Sequence, residues 1–129
     1  MSHSVNIKTQ IKQVHTLLGV FDALGWNIKE NEKCRTYYSD PSKYTVHRYV
    51  AVNPKEQGYD IGIDVNEQGE AYFTCDFFDR SIESQLGKNL QKVKQNYSLA
   101  QIKQFMLEEG LDYTVSELEN GQLKVVGTH

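Results

Sequence analysis

The sequence predicts an α+β fold, a mostly antiparallel β-sheet with three helices on one face. Three observations lead to it. Several segments alternate apolar and polar residues with the period of a half-buried strand, as in Tyr59, Ile61, Ile63 and Val65 against Asp60, Gly62 and Asp64. Other stretches repeat their apolar residues at helical spacing, as in Val14, Leu17, Leu18, Phe21 and Leu24. Runs of strands are segregated from the helices, which marks α+β rather than α/β.

Val5, Ile7, Thr9 and Ile11 alternate with Asn6, Lys8 and Gln10 and form the first strand. In the helix that follows, Lys12, Thr16 and Ala23 lie opposite the apolar stripe. His15 sits at its flank as a partly buried structural imidazole, and Gly25 suits a left-handed cap. Trp26 and Ile28 suggest a short strand. Cys34, Thr36 and Tyr38 suggest another, or one bulged strand with the first. Ser39-Asp40-Pro41-Ser42 is a turn, because proline presets φ and removes a donor.

A three-strand meander is expected at 44–52, 59–65 and 70–78, with a four-residue loop, Asn66-Glu67-Gln68-Gly69, before the last strand. Asp79 or Ser81 caps a second helix with the stripe Ile82, Leu86, Leu90, Val93 and Tyr97. Ser98 and Gln101 have capping-box spacing and open a third helix through Leu99, Ile102, Phe105 and Met106, ended by Gly110. A final hairpin at 113–118 and 122–126 turns on Asn120-Gly121, the strongest short hairpin signal in the chain. The expected order is β-α-β(β)-β-β-β-α-α-β-β.

The 129 residues fit a single domain, 1–129, long enough to bury a core without staples. Eight tyrosines and five phenylalanines favour β-structure. Met1 to Thr9 lacks the apolar core of a signal peptide, and no apolar run reaches the ~20 residues that span a bilayer. Cys34 and Cys75 are far apart and form no Cys-x-x-Cys pair, so reduced thiols in a cytoplasmic compartment are expected. The net charge of −3 is segmental: +3 over 1–52, −6 over 53–79, +4 over 80–104 and −4 over 105–129. The acidic centre and acidic pI disfavour nucleic-acid binding.

The chemistry-bearing residues gather on the meander. If Ile61, Ile63, Phe73 and Phe77 face the helices with Val46, Val50 and Val52, then His47, Tyr49, Asp60, Asp64, Tyr72 and Asp76 face away. Short loops set His47, Asp64 and Tyr72 side by side, with Asp60 near Asp76. A histidine, three carboxylates and two tyrosines on one surface suit a divalent cation or acid–base work. The alternative is the solvated polar face that an antiparallel sheet ordinarily presents. Arg48 fits the inward side of its strand badly and signals a bulge.

Other candidates are thinner. His3 near the amino terminus offers an N-terminal copper or nickel site or a structural imidazole. Cys34, Cys75, His3 and His47 lack the paired close spacing of a zinc site. Lys88 and Lys92, one turn apart, with Lys94 to one side, form a basic helix face that is either solvated or turned to an acidic partner. No P-loop, dinucleotide fingerprint, nucleophile elbow or HExxH is present, and no cofactor is implied.

The opening Met1-Ser2-His3-Ser4, then Ile7-x-Thr9-x-Ile11, an amphipathic helix and Leu24-Gly25-Trp26, resembles a small conserved hypothetical chloroplast reading-frame family. That family occurs in cyanobacteria, red-algal plastids, other bacteria and phages. The similarity covers the whole chain by length and element order and is distinctive over the first 26 residues. Ser4 stands where the family pattern has phenylalanine. The resemblance implies no established activity, and its members' genomic neighbours imply an AAA+ ATPase as a partner. The sequence-level expectation is a non-enzymatic binding or adaptor module acting on a protein partner or on itself. A metal-binding or acid–base enzyme using the acidic/His sheet face is the alternative.

Overall fold

The computed structural model describes residues 4–35, 45–120 and 122–128. Strands β1 (Ser4–Lys8), β2 (Asn27–Glu32), β3 (His47–Val52), β4 (Ile61–Val65) and β5 (Ala71–Asp76) form a wholly antiparallel sheet in the order β1-β5-β4-β3-β2. Helix α1 (Val14–Ala23) carries the chain from one edge of this sheet to the other, and β3, β4 and β5 return as a meander to pair with β1. Helices α2 (Arg80–Leu86) and α3 (Gln91–Glu108) follow. A separate two-stranded sheet, β6 (Asp112–Glu117) and β7 (Leu123–Thr128), packs beside α3.

The strict alternation of β4 and β5 fixes the inner face. Ile61, Ile63, Ala71 and Phe73 are fully buried, with Ile63 directly opposite Phe73. Leu17, Val20 and Phe21 of α1, Ile82 and Leu86 of α2, and Val93 and Tyr97 of α3 close over them. Phe21 meets both Phe73 and Trp26 edge to face, at centroid distances of 5.9 and 6.4 Å. Among the described residues the buried indole N–H of Trp26 meets no acceptor.

Caps and turns follow the local chemistry. Gly25 (φ 88°) and Gly110 (φ 69°) take the left-handed conformation after α1 and α3. Asp79 caps α2 by accepting from the Ser81 N–H. The Asn66–Gly69 loop closes through Asn66 N–H to Glu70 and Gly69 N–H to Asn66.

Several expectations need correction. Three comparable helices give way to two long ones, α1 and α3, with α2 only seven residues long. The break falls at Gly87, Asn89 and Leu90, all with positive φ, and Ser98 lies inside α3 rather than opening a helix. Lys88 therefore belongs to a short 3₁₀ turn and does not share a helix with Lys92 and Lys94. Tyr49 and Ala51 join the core on the inner face, whereas Val46 is half-exposed. The 50–52 run is apolar on both sides, so its period does not say which face is buried. Phe105 is 57% exposed and Phe77 only half-buried. His15 is exposed. Cys34 follows β2 outside any strand, while His3, Thr36, Tyr38 and the 39–42 turn lie outside the described residues.

Candidate functional site

The carboxylates of the meander occupy three different environments. Asp60, just before β4, is 3% exposed and saturated. Its oxygens accept from the backbone N–H of Arg35 (2.8 Å) and of Asn53 (2.9 Å), and from Nε (3.1 Å) and Nη2 (2.8 Å) of the Arg35 guanidinium. Arg35 in turn donates to the carbonyls of Glu56 and Asn53. The buried Asn53 side chain continues the network to the Tyr59 carbonyl, Ser81 Oγ and Gln85 Nε2. Asp79 closes it by accepting from Tyr59 N–H and the Ser81 hydroxyl, both at 2.7 Å. Each of these groups is spent on joining the β3–β4 connection, the start of α2 and the segment after β2. Asp60 therefore does not lie on an open polar face, contrary to the reading from alternation. Asp76 is also buried and accepts from Phe78 N–H.

His47 and Asp64 do come together. Nδ1 of His47 lies 2.7 Å from Asp64 Oδ2, and Asp64 Oδ1 accepts from Arg48 N–H at 2.9 Å. Regular pairing of β3 with β4 runs only from Ala51↔Ile61 to Tyr49↔Ile63. Beyond it Arg48 N–H turns to the Asp64 side chain, the irregularity that the awkward arginine signalled. The His47 ring lies against Gly62, where an added Cβ would fall 2.6 Å from three ring atoms. In the neutral tautomer that carries its proton on Nδ1, the ring donates to Asp64 and Nε2 is left as the acceptor. Tyr72 is half-buried and stands opposite Asp64 in the ladder.

His47, Asp64 and Tyr72 are thus neighbours as the sequence indicated, while Asp60 and Asp76 are engaged elsewhere. Among the described residues, no group of three or more His, Cys, Asp or Glu side chains is placed to hold a metal ion. Cys34 and Cys75 are free thiols. Burial, reinforced by Asp60 and other acidic groups around Cys34 and by Asp76 beside Cys75, pushes each up to about 12. Neither is an activated nucleophile, since reactivity belongs to the thiolate.

A different surface emerges at the C-terminal end. The described residues include nine large apolar side chains that are exposed, and six lie between 102 and 126: Ile102, Phe105, Leu107, Val115, Leu118 and Val126. For Ile102 the exposure follows from helix phase. Val93 and Tyr97 point α3 into the core, and Ile102, nine residues beyond Val93, is rotated about half a turn away at 3.6 residues per turn. Leu99, Ile102, Leu123 and Val125 line a groove of about 290 Å³ between α3 and β7. Phe105 stands on the ridge beside it, near Gln13 of the segment before α1. Expecting Phe105 to pack on the buried sheet face, with Val14, Leu18, Phe21 and Leu86, misses this surface, although continuing one helical phase from Val93 exposes it.

The basic residues divide. Lys88 and Lys92 are exposed, and Lys94 is half-buried on a cleft of about 680 Å³ that it shares with Lys8, Glu70, Tyr97 and Gln101. Tyr97 Oη accepts from Gln13 N–H and Gln101 Nε2, fixing α3 against the start of α1. No helix among the described residues is long and apolar enough to cross a membrane. No family model, curated protein or solved structure matches the chain.

Proposed function

We propose that the protein is a non-enzymatic binding or adaptor module that engages another protein through the surface formed by the second half of α3 and the β6–β7 hairpin. The observation that carries this reading is the exposure of Ile102 and Phe105 along one side of α3, beside a two-stranded hairpin whose outer edges pair with no further strand among the described residues. Exposed apolar clusters of this kind mark interaction surfaces. A two-stranded hairpin is also marginal by itself and gains from further packing. A cytoplasmic location belongs to this reading through the unpaired cysteines, and an AAA+ ATPase as partner class through the N-terminal resemblance. The test is a photo-crosslinking residue at Phe105 in cells, with one at exposed Glu67 as the control. A discrete adduct formed only from position 105 is expected. Equal labelling from both positions, or none, refutes the reading.

The second reading is a metal-binding or acid–base role centred on His47 and Asp64. Their 2.7 Å contact favours it, because a carboxylate on Nδ1 is the usual way to present Nε2 as a base or metal ligand. A ligand at a hundred times its dissociation constant stabilises a fold by about 2.7 kcal/mol. Melting curves with divalent ions that leave the wild type and Asp64→Ala unshifted remove the metal version.

A further inference from the structure

The poles of α3 carry opposite charge. Lys92 and Lys94 occupy its first turn and Lys88 immediately precedes it, whereas Glu108 and Glu109 close its end. The balance extends to whole segments, +4 over 80–104 and −4 over 105–129. This distribution runs against the helix macrodipole, which favours anions at the N-terminus and cations at the C-terminus. The first turn of α3 has no acidic residue and the last turn no basic one. Among the described residues these charges form no ion pair: the close contacts of that kind are Arg35–Asp60 and, where the imidazole is protonated, His47–Asp64. Lys92 and Glu108 stand roughly 24 Å apart along the helix at 1.5 Å per residue. That is about three Debye lengths at physiological salt.

Between the poles, Ser98, Gln101, Ile102 and Phe105 form an exposed strip. On this side of the helix Lys94 marks one end of the strip and Glu109 the other, while Lys92 lies about 140° around from Phe105; a strip so ended is complementary to itself when turned through a two-fold axis, the condition for an isologous interface. We infer that the occupant of this face is a second copy of the chain, packed antiparallel along α3. The inference rests on the docking role proposed above and names the partner. An axis passing between Gln101 and Ile102 places residues whose numbers are equidistant from it opposite one another. Lys94 then meets Glu109 of the second copy, and Phe105 packs over Ser98 of the second copy, each contact made twice. Packed helices sit about 8–10 Å apart, which brings the opposed charges from beyond the screening length to within it. The antiparallel pairing also sets each helix's N-terminal lysines beside the other's C-terminal carbonyls, which relieves the unfavourable dipole arrangement.

Sedimentation velocity of the purified full chain tests the inference. A dimer of twice the 14.8 kDa chain is expected at tens of micromolar in low salt, weakening as salt rises. Phe105→Asp, at an exposed site, is expected to give a monomer with an unchanged circular-dichroism spectrum. Lys94→Glu should weaken association by about tenfold or more, and Lys94→Glu with Glu109→Lys should restore it. A wild type that stays monomeric at hundreds of micromolar in low salt, or a double charge reversal as weak as the single one, overturns the inference. If the wild type is monomeric while the crosslinker at position 105 captures a different protein, the second-copy assignment falls and the docking reading stands. If the wild type is monomeric and position 105 yields no specific adduct, both fall.

Discussion

Replacing Asp60 with alanine removes the acceptor for four hydrogen bonds at a position 3% exposed. The consequences differ from donor to donor. The Asn53 N–H is buried with its residue at 2% exposure, and an orphaned buried donor costs about 1–3 kcal/mol. Arg35 is 43% exposed, so its guanidinium rehydrates and keeps its bonds to the Glu56 and Asn53 carbonyls. The loss is about 2–4 kcal/mol in all, mostly from the orphaned backbone donors, since no buried charge is left behind. Arg35→Ala strands the 3%-exposed Asp60 carboxylate without its cation but with both backbone donors, and should cost at least as much, about 2–4 kcal/mol. Urea unfolding followed by the emission of the one tryptophan, Trp26, measures both, since that residue is fully buried. With a slope of about 2 kcal/mol per molar urea, Asp60→Ala should lower the midpoint by roughly 1–2 M. If Asp60→Ala lies within about 0.5 kcal/mol of the wild type, the side chain is merely solvated and the proposed lock is not a lock.

Two further perturbations probe the neighbouring groups. Gly62→Ala places a Cβ 2.6 Å from the His47 ring and should cost about 1–3 kcal/mol by displacing it from Asp64. In a His47→Ala background the same change should be neutral or stabilising by up to about 1 kcal/mol, because alanine is better than glycine in a strand. A double-mutant cycle without that coupling shows that the ring does not rest on Gly62. Asp79 gives the pH dependence: burial pushes its pKa up, but hydrogen bonds from Tyr59 and Ser81, with Lys55 nearby, more than offset this and hold it below the usual carboxylate value. The unfolded chain then binds the proton more tightly, so the contribution is complete above about pH 4 and is lost as pH falls through the lowered folded value. Asp79→Asn should flatten the acid limb of the stability profile below about pH 4, and an unchanged limb contradicts the assignment.

The parts of this fold legible in the sequence are those where one physical signal stands alone. In β4 and β5 the alternation is uninterrupted, and Ile61, Ile63 and Phe73 are buried as their period requires. In β3 the apolar run includes Val50, Ala51 and Val52, and Val50 is 1% exposed although it lies outside the helix-side core cluster. When both faces of a strand are covered, period two carries no information about orientation. The His47–Asp64 pair was readable because hairpin register is local. The Asp60 lock was not, because Arg35 is 25 residues distant and nothing near either residue announces the other.

The same distinction explains where the candidate site was misplaced. Charge on a strand reads as an exposed polar face until its partners are known, and here the partners use up Asp60 and Asp76. Apolar residues at helical spacing read as core until the phase of the helix is known, and in α3 the phase is set by Val93 and Tyr97. From that fixed phase, Ile102 and Phe105 point outward between a basic and an acidic pole. Asp60 and Asp76, which looked chemical, are bonded into the fold, and Ile102 and Phe105, which looked structural, stand exposed.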